Sequence, residues 1–177
     1  MSDLAQRLPF AATRLAKAYA DIGTLPARVI LNDVRSLYNV GAFFRTADAV
    51  GLDRVCLSGI TGRPPHREIS KTALGADEHV EWEACPDVVS YLDQLRNQEY
   101  EIVAIETCAH SVDLFDWRPG FPVAVLFGNE VDGLSPDLLA RCDTFVRLPM
   151  RGFKHSLNVA TAGGVVLYEL LRKYREL

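Results

Sequence analysis

The polar residues best suited to chemistry in this sequence occur in short groups, each of which follows an apolar segment typical of a strand. These groups are residues 32–35, 106–107, 128–130 and 151–158. Ligands of open parallel sheets bind beyond the carboxyl ends of the strands. The last group also precedes a helical pattern, and a helix N-terminus presents free amide groups to a ligand. The sequence therefore predicts one binding site at the strand ends.

Several common signatures of α/β enzymes are absent. No GxGxxG follows the first predicted strand, which argues against a nicotinamide or flavin site. The sequence also lacks the phosphate-binding GxxxxGK[ST], the zinc-binding HExxH and the nucleophile motif GxSxG. The four cysteines include no CxxC pair, which favours reduced thiols over a zinc site or a disulfide framework. No metal is expected.

Strand-like and helix-like segments alternate along the chain. Strands are predicted at 28–31, 54–57, 80–82, 101–105, 122–127 and 145–148. Helices are predicted at 11–20 and 87–98, and from residues 39, 135 and 157 onward. This alternation indicates an α/β fold with a mainly parallel sheet flanked by helices.

The final helix combines a predicted buried face with an unusual pair of glycines. Apolar or small residues at 157, 160, 161, 164, 165, 168 and 171 predict that face. Gly163 and Gly164 are costly inside a helix, at about 1 kcal/mol each relative to alanine. Such a pair is tolerated where another backbone packs closely against the helix.

Composition indicates one soluble domain. The chain has 177 residues, 49% of them hydrophobic and 24% charged, with a formal net charge of −4. The longest apolar run, 123–127, is too short to cross a membrane, and no secretory signal is visible at the N-terminus. Basic residues gather at 54–71 and 141–154. They form either a phosphate-accepting face or ordinary solvated surface.

Three segments together resemble a known family. NVGAFFRTA at 39–47, LFGNEVDGL at 126–134, and LPM at 148–150 with SLNVA at 156–160 resemble motifs 1, 2 and 3 of the SpoU (TrmH-type) RNA ribose 2′-O-methyltransferases, within the SPOUT superfamily. KTALGA at 71–76 is similar to the family's middle segment. The resemblance covers residue 27 to the C-terminus and implies a single SPOUT domain at 27–177, after a short helical extension at 1–26.

The resemblance also implies properties that the residue pattern alone does not predict. The C-terminal segment would form a trefoil knot, a topology otherwise nearly absent from proteins. The knot loops would bind S-adenosylmethionine, and a homodimer interface would help to build the site.

Five residues are catalytic candidates by the resemblance: Asn39, Arg45, Glu130, Ser156 and Asn158. Arg45 would hold the RNA phosphate and orient the attacking 2′-hydroxyl. A guanidinium stays protonated in proteins, so orientation is a safer expectation than general-base catalysis. The residues alone leave other interpretations open: a surface ion pair between Arg45 and Asp48, a helix-capping role for Asn39, and a simple turn at 128–130.

Two further sets of residues follow from the resemblance. The cofactor-binding candidates are Thr107, Gly128, Leu148, Met150 and Leu157. The candidates for RNA contact are Arg63, His66, Arg67, Lys71, Arg151 and Lys154. Each of the RNA-contact candidates, taken alone, is better explained as an ordinary surface residue.

The sequence as a whole predicts an S-adenosylmethionine-dependent RNA 2′-O-ribose methyltransferase that acts as a homodimer in the cytoplasm, without a membrane or metal partner. Few residues precede the core, which favours tRNA over rRNA as the substrate. Two alternatives are a catalytically silent RNA-binding SPOUT module and a SPOUT enzyme that methylates a base. Asn39 and Arg45 favour ribose over base.

Overall fold

The computed structural model describes residues 23–177. Within them, seven strands form one sheet in the order β3-β2-β1-β6-β4-β7-β5, and every neighbouring pair is parallel. The strands are β1 (Leu25–Asn32), β2 (Leu52–Ser58), β3 (Trp82–Cys85), β4 (Glu101–Ile105), β5 (Val112–Asp113), β6 (Val123–Phe127) and β7 (Thr144–Arg147). The prediction of an α/β fold with a parallel sheet is confirmed.

In this part of the chain four α-helices connect the strands and a fifth follows the last strand: α1 (Leu37–Val50), α2 (Arg67–Ala73), α3 (Val88–Asn97), α4 (Pro136–Leu139) and α5 (Val159–Tyr174). A short 3₁₀ helix follows α2 at Ala76–Glu78. No helix within residues 23–177 combines the length and the apolar character needed to cross a membrane. The helix predicted at 11–20 lies outside the described residues.

Helices cover both faces of the sheet, as a fully parallel sheet requires. Side chains of β6 alternate between two separate cores, because successive strand residues point to opposite faces. Val123, Val125 and Phe127 join the core beneath α1, α2 and α5. Ala124 and Leu126 join the core beneath α3 and α4. The sheet therefore lies between two helical layers.

Two strand predictions differ from the structure at the edges of the sheet. The strand predicted at 80–82 lies at Trp82–Cys85, because Val80 is buried by a turn in which its amide donates to the carbonyl of Ala76. The strand Val112–Asp113 was not predicted. It has only two residues and pairs on one side alone, with β7, so it lacks a run of apolar residues that would reveal it.

The predicted buried face of α5 is wrong. The buried residues are Gly163, Val166, Leu167 and Leu170, whereas Thr161, Val165 and Tyr168 are exposed, and Leu157 precedes the helix. The helix carries two stripes of small or apolar residues, and periodicity alone does not tell which stripe faces the core.

Gly163 lies where α5 packs against α1. A Cβ added to Gly163 would lie 2.2 Å from Cε1 of Phe43, so the helix approaches the ring too closely for any side chain. Gly164 has no neighbour within 4 Å of such an added atom among the described residues. Close packing therefore explains Gly163, but the neighbour is the ring of Phe43 and not the backbone that was predicted, and Gly164 faces open space.

Candidate active site

The loop after β6 is a compact turn that presents Glu130. The backbones of Asn129 and Gly133 exchange two hydrogen bonds, of 3.2 and 3.0 Å. Gly133 has a φ of 68°, a left-handed conformation that favours glycine. At Gly128 an added Cβ would lie 2.3 Å from the carbonyl carbon of Gly133. The missing side chain of Gly128 is thus required by packing within the loop itself.

Glu130 links this loop to the start of α1. Its carboxylate accepts hydrogen bonds from the amides of Arg35 (3.0 Å) and Ser36 (3.1 Å) and from Nδ2 of Asn39 (2.9 Å). Burial raises the pKa of Glu130, but the bonds from the Arg35 amide, the Asn39 side chain and the Ser36 amide outweigh it, and the pKa is lowered overall. Glu130 is therefore a well-anchored carboxylate.

Asn39 lies between Glu130 and Asn158. Its Oδ1 accepts a 3.1 Å hydrogen bond from Nδ2 of Asn158. Oδ1 of Asn158 in turn accepts from the amides of Ala160 (3.0 Å) and Thr161 (3.2 Å), which caps the N-terminus of α5. Side chains from all three sequence motifs thus form one hydrogen-bonded chain.

The interpretation of Asn39 as the cap of α1 is wrong. The capping residue is Ser36, whose Oγ accepts a 3.3 Å hydrogen bond from the amide of Asn39. The side chain of Asn39 is therefore not used for capping. Its Nδ2 donates to Glu130 and its Oδ1 accepts from Asn158.

A cavity of about 460 Å³ opens beside this chain, between the loops that follow β4, β6 and β7. All five predicted cofactor residues line it: Thr107, Gly128, Leu148, Met150 and Leu157. Glu130, Ser156 and Asn158 line it as well. Eight sequence-predicted residues from distant segments therefore surround one cavity at the carboxyl ends of the strands. Their individual roles stay predictions.

Five further residues with reactive or charged side chains line the cavity and were not proposed as site residues: Glu106, Cys108, Asp132, Arg147 and His155. The Glu106 carboxylate accepts from the amides of Thr107 (3.1 Å) and Leu134 (3.4 Å) and thereby joins two of the loops. Arg147 donates to the carbonyl of Ser111 (2.7 Å). Glu106 directly follows β4 and Arg147 ends β7. Their positions at the carboxyl ends of predicted strands could have identified them as site residues.

Arg45 does not line this cavity. It is exposed on α1, six residues after Asn39, which corresponds to about 9 Å along the helix and about 120° around it. Among residues 23–177, Arg45 forms no hydrogen bond or ion pair, so the proposed surface pair with Asp48 is absent. A single chain therefore does not bring Arg45 to the other four catalytic candidates.

The candidates for RNA contact all lie on the surface, in two groups. The first comprises Arg63, His66, Arg67 and Lys71, on α2 and the loop before it, and the second comprises Arg151 and Lys154, in the loop before α5. Two members of the first group already have structural partners. His66 caps α2 by accepting from the amide of Glu68 (3.1 Å), and Lys71 pairs with the Glu68 carboxylate at 2.6 Å.

No group of His, Cys, Asp and Glu side chains that could hold a metal ion occurs in the described part of the chain.

Comparisons with known proteins agree with the geometry. The model of the SpoU rRNA Methylase family matches residues 26–168. A Staphylococcus haemolyticus protein assigned to the TrmH family of tRNA/rRNA methyltransferases is 30% identical over 145 residues, which cover 82% of this chain and 58% of that protein. The chain thus spans about three-fifths of the length of the curated relatives it matches.

Three solved structures are similar over most of the described chain. A TrmH/SpoU tRNA modifying enzyme from A. aeolicus is 28% identical, with a TM-score of 0.79, and the match covers 87% of this chain and 78% of that one. An AdoMet-bound rRNA methyltransferase from Sinorhizobium meliloti is 30% identical, with a TM-score of 0.74 and coverage of 85% and 60%. A structure described in terms of 2-OH methylation of C/U34 on tRNA is 26% identical, with a TM-score of 0.74 and coverage of 85% and 97%.

Proposed function

The chain belongs to the SpoU rRNA methylase family, and from this premise we propose that it transfers the methyl group of S-adenosylmethionine to a ribose 2′-hydroxyl of RNA. The observation that carries the proposal is the hydrogen-bonded chain from Glu130 through Asn39 to Asn158, at the wall of the cavity. The S. meliloti neighbour binds AdoMet, and another neighbour is described by its 2-OH methylation.

The cavity fits S-adenosylmethionine by volume and by chemistry. Its volume of about 460 Å³ falls within the range of about 300–1,000 Å³ found for small-molecule sites. Leu148, Met150 and Leu157 provide an apolar wall for an adenosyl group, and the Glu106 carboxylate provides a partner for positive charge. When bound there, S-adenosylmethionine supplies a methyl group activated on a sulfonium sulfur.

The residues around the cavity contribute mainly by orienting the substrate. Glu130 and Asn158 line the cavity, and both are held in one orientation by their hydrogen bonds to Asn39, which does not line it. The Ser156 hydroxyl has no hydrogen-bond partner among residues 23–177 and is available to a ribose oxygen. Alignment of the 2′-oxygen with the methyl carbon can lower the barrier by several kcal/mol.

Glu130 is poorly suited to accept the proton of the 2′-hydroxyl. Its pKa is lowered overall, because its hydrogen bonds favour the carboxylate more than burial opposes it. Effective general bases have a pKa near the working pH. We therefore assign Glu130 the role of an anchor for Asn39 and for the turn before α1.

A homodimer would complete the site. Exposed apolar side chains lie on two helices: Val165 (38% exposed) and Tyr168 (55%) on α5, beside the open Gly164, and Tyr38 (49%) on α1, where its ring lies near the Lys71 ammonium of α2. A second copy packed on these side chains would bury them. It could also bring Arg45 of one protomer to the cavity of its partner, which a single chain does not achieve.

We favour tRNA as the substrate class. Of the three solved structures compared above, two are described with tRNA and one as an rRNA methyltransferase. The trefoil knot and the cytoplasmic location are predictions that rest on the family resemblance.

Transfer of a labelled methyl group to bulk tRNA and to bulk rRNA tests this function against its alternatives. We expect label in the ribose of one RNA class. Label in a base would support a base methyltransferase. Cofactor binding with no transfer to either class would support a silent RNA-binding module.

A further inference from the structure

Phe153 is the most exposed large apolar side chain in the described part of the chain, with no shielding by its own protein. It lies within residues 151–158, all of which are exposed and none of which belongs to a helix or strand. Gly152, its neighbour, has open space around it. A single exposed apolar side chain is ordinary on a protein surface, so the significance of Phe153 depends on its position and on the charges beside it.

The loop that carries Phe153 also forms part of the cavity wall. Met150 lines the cavity on one side of Phe153, and His155 and Ser156 line it on the other. Two residues of extended chain span at most about 7 Å, so the backbone of Phe153 lies within that distance of His155. The aromatic ring is therefore presented next to the cavity but does not line it.

The charged side chains close to Phe153 in the sequence are all basic. Residues 144–168 contain no Asp or Glu, whereas Arg147, Arg151 and Lys154 are basic. Arg151 and Lys154 flank Phe153 and form no ion pair within residues 23–177. An aromatic ring between two unpaired cations matches the chemistry of an unpaired nucleotide, whose base stacks on the ring while its phosphates contact the cations.

We propose that Phe153 stacks on an unpaired base of the RNA substrate beside the methylated nucleotide, with Arg151 and Lys154 on the neighbouring phosphates. This inference rests on the function proposed above and narrows the substrate to a single-stranded loop or end. A base within a duplex has no free face for the ring, because its neighbours already stack on both sides. Phe153 is thus a substrate-positioning residue.

A second copy of the chain is a less suitable partner for this loop. The cores of subunit interfaces are depleted in charged residues, whereas this loop is basic throughout and would meet like charge in a symmetric contact. The exposed apolar side chains of α1 and α5 have a more suitable composition.

Binding of a fluorescein-labelled oligouridine to the full chain, followed by anisotropy, tests this inference. We expect Phe153→Ala to weaken binding by a factor of about 10 to 100, and Phe153→Trp to restore it. Phe115→Ala is the matched control, because Phe115 is also exposed (60%) but lies within residues 109–126, none of which lines the cavity. Binding of a fully paired RNA duplex should be equal for wild type and Phe153→Ala.

Three results would overturn the inference: equal affinity of Phe153→Ala and wild type for oligouridine, no binding by wild type, or loss of the homodimer in Phe153→Ala by analytical ultracentrifugation. The last would place Phe153 at a subunit contact.

Methyl transfer to bulk RNA separates this inference from the proposed function. Wild type that binds oligouridine through Phe153 but methylates no RNA contradicts the function alone, whereas equal methylation by wild type and Phe153→Ala contradicts the role of Phe153 alone.

Discussion

The side chains of Asn39 and Asn158 share a 3.1 Å hydrogen bond, although 119 positions separate them in sequence. The direction of this bond is set by its surroundings. Oδ1 of Asn158 accepts from the amides that open α5, so only its Nδ2 remains to donate to Asn39. Asn39 must then offer its Oδ1 to Asn158 and its Nδ2 to Glu130. The cap of α5 thus fixes the orientation of the Asn158 and Asn39 amides.

Substitutions of Asn158 should separate its capping role from its role in the site. Asn158→Ala removes the cap, and we expect it to destabilise the protein by about 0.5–2 kcal/mol and to abolish most methyl transfer. Asn158→Asp retains an oxygen that caps α5 but cannot donate to Asn39. It should therefore keep the wild-type free energy of unfolding and still lose at least about tenfold in rate. Urea unfolding and methyl transfer measure the two effects, and an active Asn158→Asp would contradict the proposed role of this bond.

Glu130 should contribute to the dependence of stability on pH. Its pKa is lowered in the folded protein from an ordinary value of 4.5. Its contribution is therefore complete above that value and is lost as the pH falls through the folded-state pKa. We expect the unfolding free energy of wild type to fall more steeply than that of Glu130→Gln between about pH 5 and pH 3.

Asp132→Asn, which removes a charge from the same loop, is the control for Glu130→Gln. It should follow the wild-type curve more closely over this range. Urea unfolding at each pH gives the unfolding free energy. If this free energy fell equally with pH in wild type and Glu130→Gln, the bonds to Arg35, Ser36 and Asn39 would not hold the carboxylate ionised.

The four cysteines should differ in their reactivity with iodoacetamide. Burial raises the pKa of Cys85 and Cys142 to about 11 and raises that of Cys56 further, so these thiols stay protonated near neutral pH. Cys108 is partly exposed and lines the cavity. We expect Cys108 to be alkylated first.

S-adenosylhomocysteine, the demethylated cofactor, should slow the alkylation of Cys108 several-fold, as measured by mass spectrometry of peptides. Cys142 does not line the cavity, so its slower reaction should be unaffected and serves as an internal control. Binding of S-adenosylhomocysteine without protection of Cys108 would place the cofactor elsewhere.

Mixed dimers should show whether Arg45 acts across the subunit interface. Arg45→Ala and Asn158→Asp should each be inactive alone. If Arg45 serves its partner's cavity, random mixing gives about half heterodimers, each with one intact site, and about one quarter of wild-type activity returns. Activity after subunit exchange is the measurement. No recovery, with exchange demonstrated, would mean that Arg45 serves its own cavity or neither.

The sequence predicted the site better than the surfaces around it. Positions that follow strands, such as Thr107 and Gly128, are brought together by the parallel sheet, so chain order was enough to group them. The outward face of α5 was misassigned because Val165 and Tyr168 are as apolar as the residues that reach the core. Periodicity identifies an apolar face of a helix. It does not tell whether that face packs against the core of the same chain or against a second subunit.

The link between Asn39, Glu130 and Asn158 was also beyond sequence reasoning. It depends on which side-chain atoms remain free after Ser36 has capped α1, which becomes visible only in three dimensions. The exposed position of Arg45 is a similar case. The motif predicted a catalytic role for Arg45, but it did not predict that Arg45 lies away from the cavity of its own chain.

The chemical location of a transferred methyl group tests the central claim most directly. Purified protein, S-adenosylmethionine labelled in the methyl group and unmodified bulk tRNA or rRNA would be incubated, and the RNA would then be hydrolysed in alkali. A 2′-O-methyl group blocks alkaline cleavage at its own nucleotide. We expect label in alkali-resistant dinucleotides with wild type and its loss with Arg45→Ala. Label in mononucleotides, or no label while S-adenosylmethionine still binds, would contradict ribose methylation.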